Sequence, residues 1–179
     1  NTNLPVFMQA IDEGYDLMSI VPSCTLMYRQ EIPFMFPEDD DVMTVKSAFF
    51  DPFEFLLARY RDGLARTDFV EPLGTVAYHA ACHQRVQNIG QKTREFLSLV
   101  PNTEVSIIER CSGHDGTYAV KTETHEAAMK IARPVIRQVT QANANTYGSD
   151  CPMAGRLIQH GKDDGSRSEH PIMMLSRAY

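Results

Sequence analysis

The sequence predicts an α/β layer fold: a mostly parallel sheet with helices packed on its faces and cysteines at the carboxyl ends of its strands. Three observations predict it. Short apolar runs alternate along the chain with segments of helical spacing. The 179 residues are 43% hydrophobic and 22% charged, which supports one ordinary core and excludes disorder, collagen and coiled coil. Each of the four cysteines follows one of the apolar runs.

Leu4, Phe7, Met8 and Ile11 are spaced as a helix over 4–13, closed by Gly14. Tyr15 to Val21 reads as a short buried strand ending at Pro22. Cys24 to Met35 reads as helix, ended by Pro33 and Pro37. Glu38 to Asp41 is an acidic loop, solvated and suited to a helix N-terminus. From Met43 to Tyr60 an aromatic stripe broken at Pro52 reads as a core-facing helix pair rather than a ligand groove, because its spacing is helical. Leu73–Tyr78 and Val105–Ile108 are strands, separated by a helix over 83–99. A glycine-containing loop, 111–117, follows. The helix from Thr124 to Ala142 has the clearest period, with Thr122 and Thr124 as candidate caps and Pro134 as a kink or its real start. Asn145–Ser149 is a weak strand, Pro152–His160 a helix and Pro171–Ala178 a closing helix.

Seventeen Lys and Arg against 23 Asp and Glu give a net charge of -6. No basic tract interrupts that balance, so nucleic acid is not an expected partner. No apolar run approaches the roughly 20 residues of a membrane helix. Asn1–Pro5 has no signal-peptide pattern, and a start at Asn1 rather than methionine suggests a fragment or a processed product. Four cysteines are too few for a disulfide scaffold, which points to a reducing, cytoplasmic setting with thiols that are buried, reactive or metal-bound.

Position makes the cysteines informative. Cys24, Cys82, Cys111 and Cys151 each lie just beyond a predicted strand, and three of them open a helix. In an open α/β sheet those loops gather at the edge where ligands bind, and a helix N-terminus favours the thiolate that metals need. A cysteine near a strand end can equally be a small buried hydrophobe. His83 follows Cys82 directly and His114 lies three residues after Cys111, so either imidazole could complete a mixed site. His79 reads as a supporting residue at best. His125, His160 and His170 read as surface or loop residues, and Gly113 and Gly116 as a candidate backbone nest.

The segments Tyr78-His79-Ala80-Ala81-Cys82-His83, Cys111-Ser112-Gly113-His114-Asp115-Gly116-Thr117-Tyr118 and Ser149-Asp150-Cys151-Pro152 resemble the cysteine-rich CCG domain. That domain occurs in subunits of heterodisulfide reductase, glycolate oxidase and anaerobic glycerol-3-phosphate dehydrogenase. Val21-Pro22-Ser23-Cys24-Thr25-Leu26-Met27 resembles the tail of a preceding copy, and His170-Pro171-Ile172 also fits. The resemblance implies residues 1–70 as that tail plus a helical arm and 71–179 as a CCG-like domain, or one compact unit. It implies an iron–sulfur cluster held by Cys82, Cys111 and Cys151, or alternatively a zinc or iron ion. The fourth ligand would come from Cys24, His83 or His114. Three positions depart from the family pattern: Ser112 replaces the second paired cysteine, Ala154 the final one, and Val21 the one preceding Cys24.

The function implied is a metal- or iron–sulfur-binding subunit of a heterodisulfide-reductase-like redox protein, passing electrons to a partner subunit. A zinc-bound or metal-free structural module is the alternative, and a thiol enzyme using Cys82 or Cys111 with a neighbouring histidine is a third reading.

Overall fold

The computed structural model describes residues 2–179. The chain runs α1 (Leu4–Asp12), β1 (Leu17–Met18), α2 (Pro22–Leu26), a π-turn (Met27–Glu31), α3 (Ile32–Met35), α4 (Asp40–Ala48), β2 (Phe49–Phe50) and α5 (Pro52–Arg61). It continues through β3 (Gly74–His79), α6 (Cys82–Arg85), α7 (Lys92–Leu97), β4 (Thr103–Ile108), α8 (Thr122–Ala142), β5 (Thr146–Ser149), α9 (Pro152–Lys162) and α10 (Pro171–Ala178).

The mixed α/β architecture is as expected. Among the described residues every strand pair is parallel: β1 with β2, and a three-stranded sheet in the order β4-β3-β5. Alternating strand and helix forces this, because each strand must return through a crossover long enough to hold a helix. Apolar cores lie on both faces of the larger sheet. Val76, Tyr78 and Val105 pack with Phe53, Leu57, Phe96, Leu97 and Met174 on one side. Ala77, Ile108 and Tyr147 pack with Ala128, Ala132, Val135 and Ile158 of α8 and α9 on the other. Phe53 and Leu57 belong to α5, so the aromatic stripe is core, and the segment before residue 70 shares a core with β3.

Several elements depart from expectation. The strand expected over Tyr15–Val21 contracts to Leu17–Met18, because Ser19 Oγ accepts the Val21 N–H (3.2 Å) in a local turn and Pro22 begins α2. The helix expected over 83–99 is two short helices, split where Asn88 (φ 58°) and Gly90 (φ 81°) take left-handed backbone. Thr122 and Thr124 do not cap α8; its N-cap is Lys121, while Thr124 Oγ donates to the Tyr118 carbonyl. Pro134 lies inside α8 rather than at its start. Asp39, in the acidic loop, accepts the Val42 N–H (3.1 Å) and caps α4.

Candidate metal centre at the carboxyl edge of the sheet

Register positions the cysteines. His79 of β3 stands opposite Ile108 of β4 and Ser149 of β5, so the three strands end level. Cys82 and Cys111 lie three residues beyond their strand ends and Cys151 two beyond. All three thiols therefore leave the same edge of one sheet. Cys82 is the first residue of α6 and Cys151 the N-cap of α9, while Cys111 sits in the loop before α8. Cys82 and Cys111 are exposed, Cys151 and Cys24 half-buried, and all four thiols are free.

A buried histidine holds two of these loops. The ring of His79 is 1% exposed, with Nε2 at 2.8 Å from the Arg110 carbonyl and Nδ1 at 2.9 Å from Ser149 Oγ. A carbonyl only accepts, so Nε2 carries the hydrogen and Nδ1 accepts from the Ser149 hydroxyl. Ser149 Oγ in turn accepts the Cys151 N–H (3.2 Å). One chain of bonds thus runs from the residue before Cys111, through the end of β3, to the backbone of Cys151. Burial lowers the His79 pKa and keeps the ring neutral, as this arrangement requires.

Asp150 forms a second tie beneath the edge. Its carboxyl is 4% exposed and accepts from Tyr78 Oη and from Thr93 Oγ (3.0 Å). Burial is the main cause that pushes its pKa up to about 7; the Tyr78 and Thr93 bonds act in the opposite direction. The Asp150 backbone carbonyl accepts from His170 Nε2 (3.0 Å), which also donates to the Ile20 carbonyl (3.1 Å). His170 Nδ1 accepts the Ile172 N–H (3.1 Å), so this expected surface histidine is the N-cap of α10.

The same bonds bring Cys24 toward the edge. Ile20 precedes α2, and Gln87 Nε2 donates to the Pro22 carbonyl at 3.2 Å and the His83 carbonyl at 3.1 Å, joining α2 to α6. The helix carrying Cys24 is therefore held against the helix that Cys82 opens.

Polar groups face two of the sulfurs, whereas burial disfavours the thiolate of Cys151 that its place at a helix start was expected to favour. Gly113 N–H donates to Cys111 Sγ (3.4 Å), and Cys82 Sγ lies 3.5 Å from His83 Nδ1. Burial raises the Cys151 pKa; the Met153 and Ala154 amides at the start of α9 oppose the rise, and the Cys82 thiol adds to it. His114 has a lowered pKa, chiefly from burial and with a contribution from nearby His83, and its Nδ1 is buried without a partner. Gly113 is required where it stands: its φ is +78°, and a Cβ there would lie 2.3 Å from the Ala128 carbonyl oxygen of α8.

The donor types at this edge, three thiols and an orphaned imidazole nitrogen, fit a thiophilic metal or an iron–sulfur cluster. As they stand, no three His, Cys, Asp or Glu side chains among the described residues are grouped closely enough to hold a metal ion. Ser112 is half-buried beside Cys111, and Ala154 is buried in α9, 2% exposed. Sequence reasoning missed Asp150, Tyr78, Thr93 and Gln87 as supports of the edge, and His79 takes the supporting role expected of it. The signal that could have found them was polar side chains, Tyr78-His79 and Ser149-Asp150, closing two apolar strands.

No family model matches the sequence. Curated proteins do. The chain is 27% identical over 184 residues to the anaerobic glycerol-3-phosphate dehydrogenase C subunit of Escherichia coli (strain K12), covering 99% of this chain and 44% of that protein. It is 27% identical over 159 residues to lactate utilization protein A of Oceanobacillus iheyensis, covering 79% of this chain and 61% of that protein. It is 29% identical over 96 residues to the dihydromethanophenazine:CoB–CoM heterodisulfide reductase D subunit of Methanosarcina acetivorans, covering 50% of this chain and 23% of that protein. The chain thus spans less than half the length of the dehydrogenase protein that it matches almost end to end. The resemblance to the cysteine-rich CCG family read from the motifs therefore holds, and over nearly its whole length the chain is similar to a dehydrogenase C subunit.

Proposed function

We propose that the chain is the metal-carrying part of a redox subunit, with an iron–sulfur cluster or a single thiolate-bound iron or zinc ion at the carboxyl edge of the β4-β3-β5 sheet. One observation carries this reading. Three parallel strands ending in register send Cys82, Cys111 and Cys151 from the same edge, the cysteines that the motifs single out as ligands. Cys24, His83 and His114 are the candidates for a further ligand. A bound cluster would supply one-electron transfer. The protein's own contribution is to hold the loops through His79, Ser149 and Asp150 and to direct the Gly113 amide at Cys111 sulfur, since such bonds tune a cluster's potential. Similarity to named subunits of a dehydrogenase and a reductase supports a partner protein that carries the substrate chemistry. Among the described residues no helix is long and apolar enough to cross a membrane.

Ser112 and Ala154, where the family pattern has cysteine, favour a second reading: a zinc-bound or metal-free interaction module on the same fold. Anaerobic purification, with iron, zinc and acid-labile sulfide analysis and a visible spectrum, separates the two. Iron with sulfide and broad visible absorption supports the cluster. Stoichiometric zinc in a colourless protein supports the module, and absence of all metal refutes the metal-carrying role.

A further inference from the structure

Where α8 packs on α9, His125 and His160 form a pair that the redox reading does not use. His125 lies in the first turn of α8, half-buried, and His160 in the last turns of α9, exposed. Their ring centroids are 5.5 Å apart and the rings are inclined at 59°. The helix crossing that sets this distance is tight. A Cβ on Gly161, next to His160, would lie 2.2 Å from Ile136 Cδ1 and 3.1 Å from Met129 Cε, both of α8. Met129 is one helical turn beyond His125, so the close approach sits on the same side of α8 as the pair.

The tautomer of His125 is also set. Its Nδ1 lies 2.7 Å from the Ala119 carbonyl, so Nδ1 carries the hydrogen and the lone pair is on Nε2. That is the arrangement of a metal-binding imidazole, whose other nitrogen donates to a carbonyl and fixes the ring. Two imidazoles bound through nitrogens about 2.0–2.1 Å from one tetrahedral ion have centroids about 5–5.5 Å apart. We propose that His125 and His160 form a two-histidine site for a borderline divalent ion of the zinc, nickel and copper class. Water completes the coordination, since no group of three candidate ligands occurs among the described residues. The site uses none of the cysteines and does not depend on their metal.

The test is histidine carbethoxylation of the 179-residue chain, read peptide by peptide by mass spectrometry, with and without zinc chloride. Because the readout is residue by residue, zinc on the thiols does not enter it. Saturating zinc is expected to slow reaction at His125 and His160 together, by about tenfold or more, because the coordinated nitrogens are no longer nucleophilic. In H160Q, a change at an exposed position that leaves the core intact, zinc is expected to leave His125 reactivity unchanged. Zinc-insensitive reaction at both histidines would reduce the pair to an edge contact between rings, and protection of only one, or of His125 in H160Q, equally overturns the shared site.

Discussion

Replacing His79 with alanine removes both bonds that tie the Arg110 and Ser149 ends of the ligand loops to the end of β3. Leaving a buried hydrogen-bond partner unsatisfied costs about 1–3 kcal/mol. Ser149 keeps its contact with the Cys151 amide and Arg110 is exposed, so the lower part of that range applies to each bond. The expected destabilisation is about 2–3 kcal/mol, or about 8 °C in Tm for a chain of this size. Urea unfolding measures it as a lower midpoint at unchanged m-value. His79→Gln, which keeps one amide donor and one acceptor, is expected to lose about half as much. A loss below about 1 kcal/mol for the alanine variant, or no difference between the two variants, would refute a bridging role. The pH profile provides an independent check. Burial lowers the folded pKa of His79 below the usual 6.5, so the unfolded chain takes up a proton that the folded chain refuses. Its contribution is present above pH 6.5 and lost as pH falls below it, and His79→Ala should abolish that part of the slope.

Asp150→Asn should act in the opposite sense. The folded pKa is raised from 3.8 to about 7, so its contribution is present below pH 3.8 and lost as pH rises toward 7. The variant is expected to gain stability relative to the parent across that window, measured by thermal unfolding at stepped pH. Gly113→Ala meets both a left-handed φ and the Ala128 carbonyl, and should cost about 1–3 kcal/mol while loosening the Cys111 loop, read as faster amide exchange over 111–117. The double variant Cys82→Ala with Cys111→Ala is expected to lose the metal found in the parent by elemental analysis, whereas Cys24→Ala should retain most of it; unchanged metal in the double variant would place the centre elsewhere.

How much of this was legible beforehand follows from range. α10 at Pro171–Ala178, β5 near Ser149 and the helical run ending at Ala142 were readable because periodicity, Pro and strand-end residues act within a few positions. The placement of Cys82, Cys111 and Cys151 just past strand ends was readable for the same reason, and with it the α/β class. The level ends of β3, β4 and β5 were not, because register is decided by pairing between segments about 30 and 70 residues apart in sequence. His79 bonds residues 31 and 70 positions away, and Asp150 bonds Tyr78 from 72 away. A polar side chain closing a strand marks such a residue, but nothing local names its distant partner. The break at Asn88 and Gly90 and the contraction of the Tyr15–Val21 strand have local causes instead: left-handed backbone at Asn88 and Gly90, and the Ser19–Val21 turn before Pro22, outweigh the apolar spacing that suggested longer elements. Local spacing dictated most of the elements and placed a thiol just past each strand of the larger sheet. That those strands end together, and that a neutral buried imidazole joins two of the ligand loops, came only with closure of the chain, because a hydrogen bond between distant residues exists only once the intervening chain has closed.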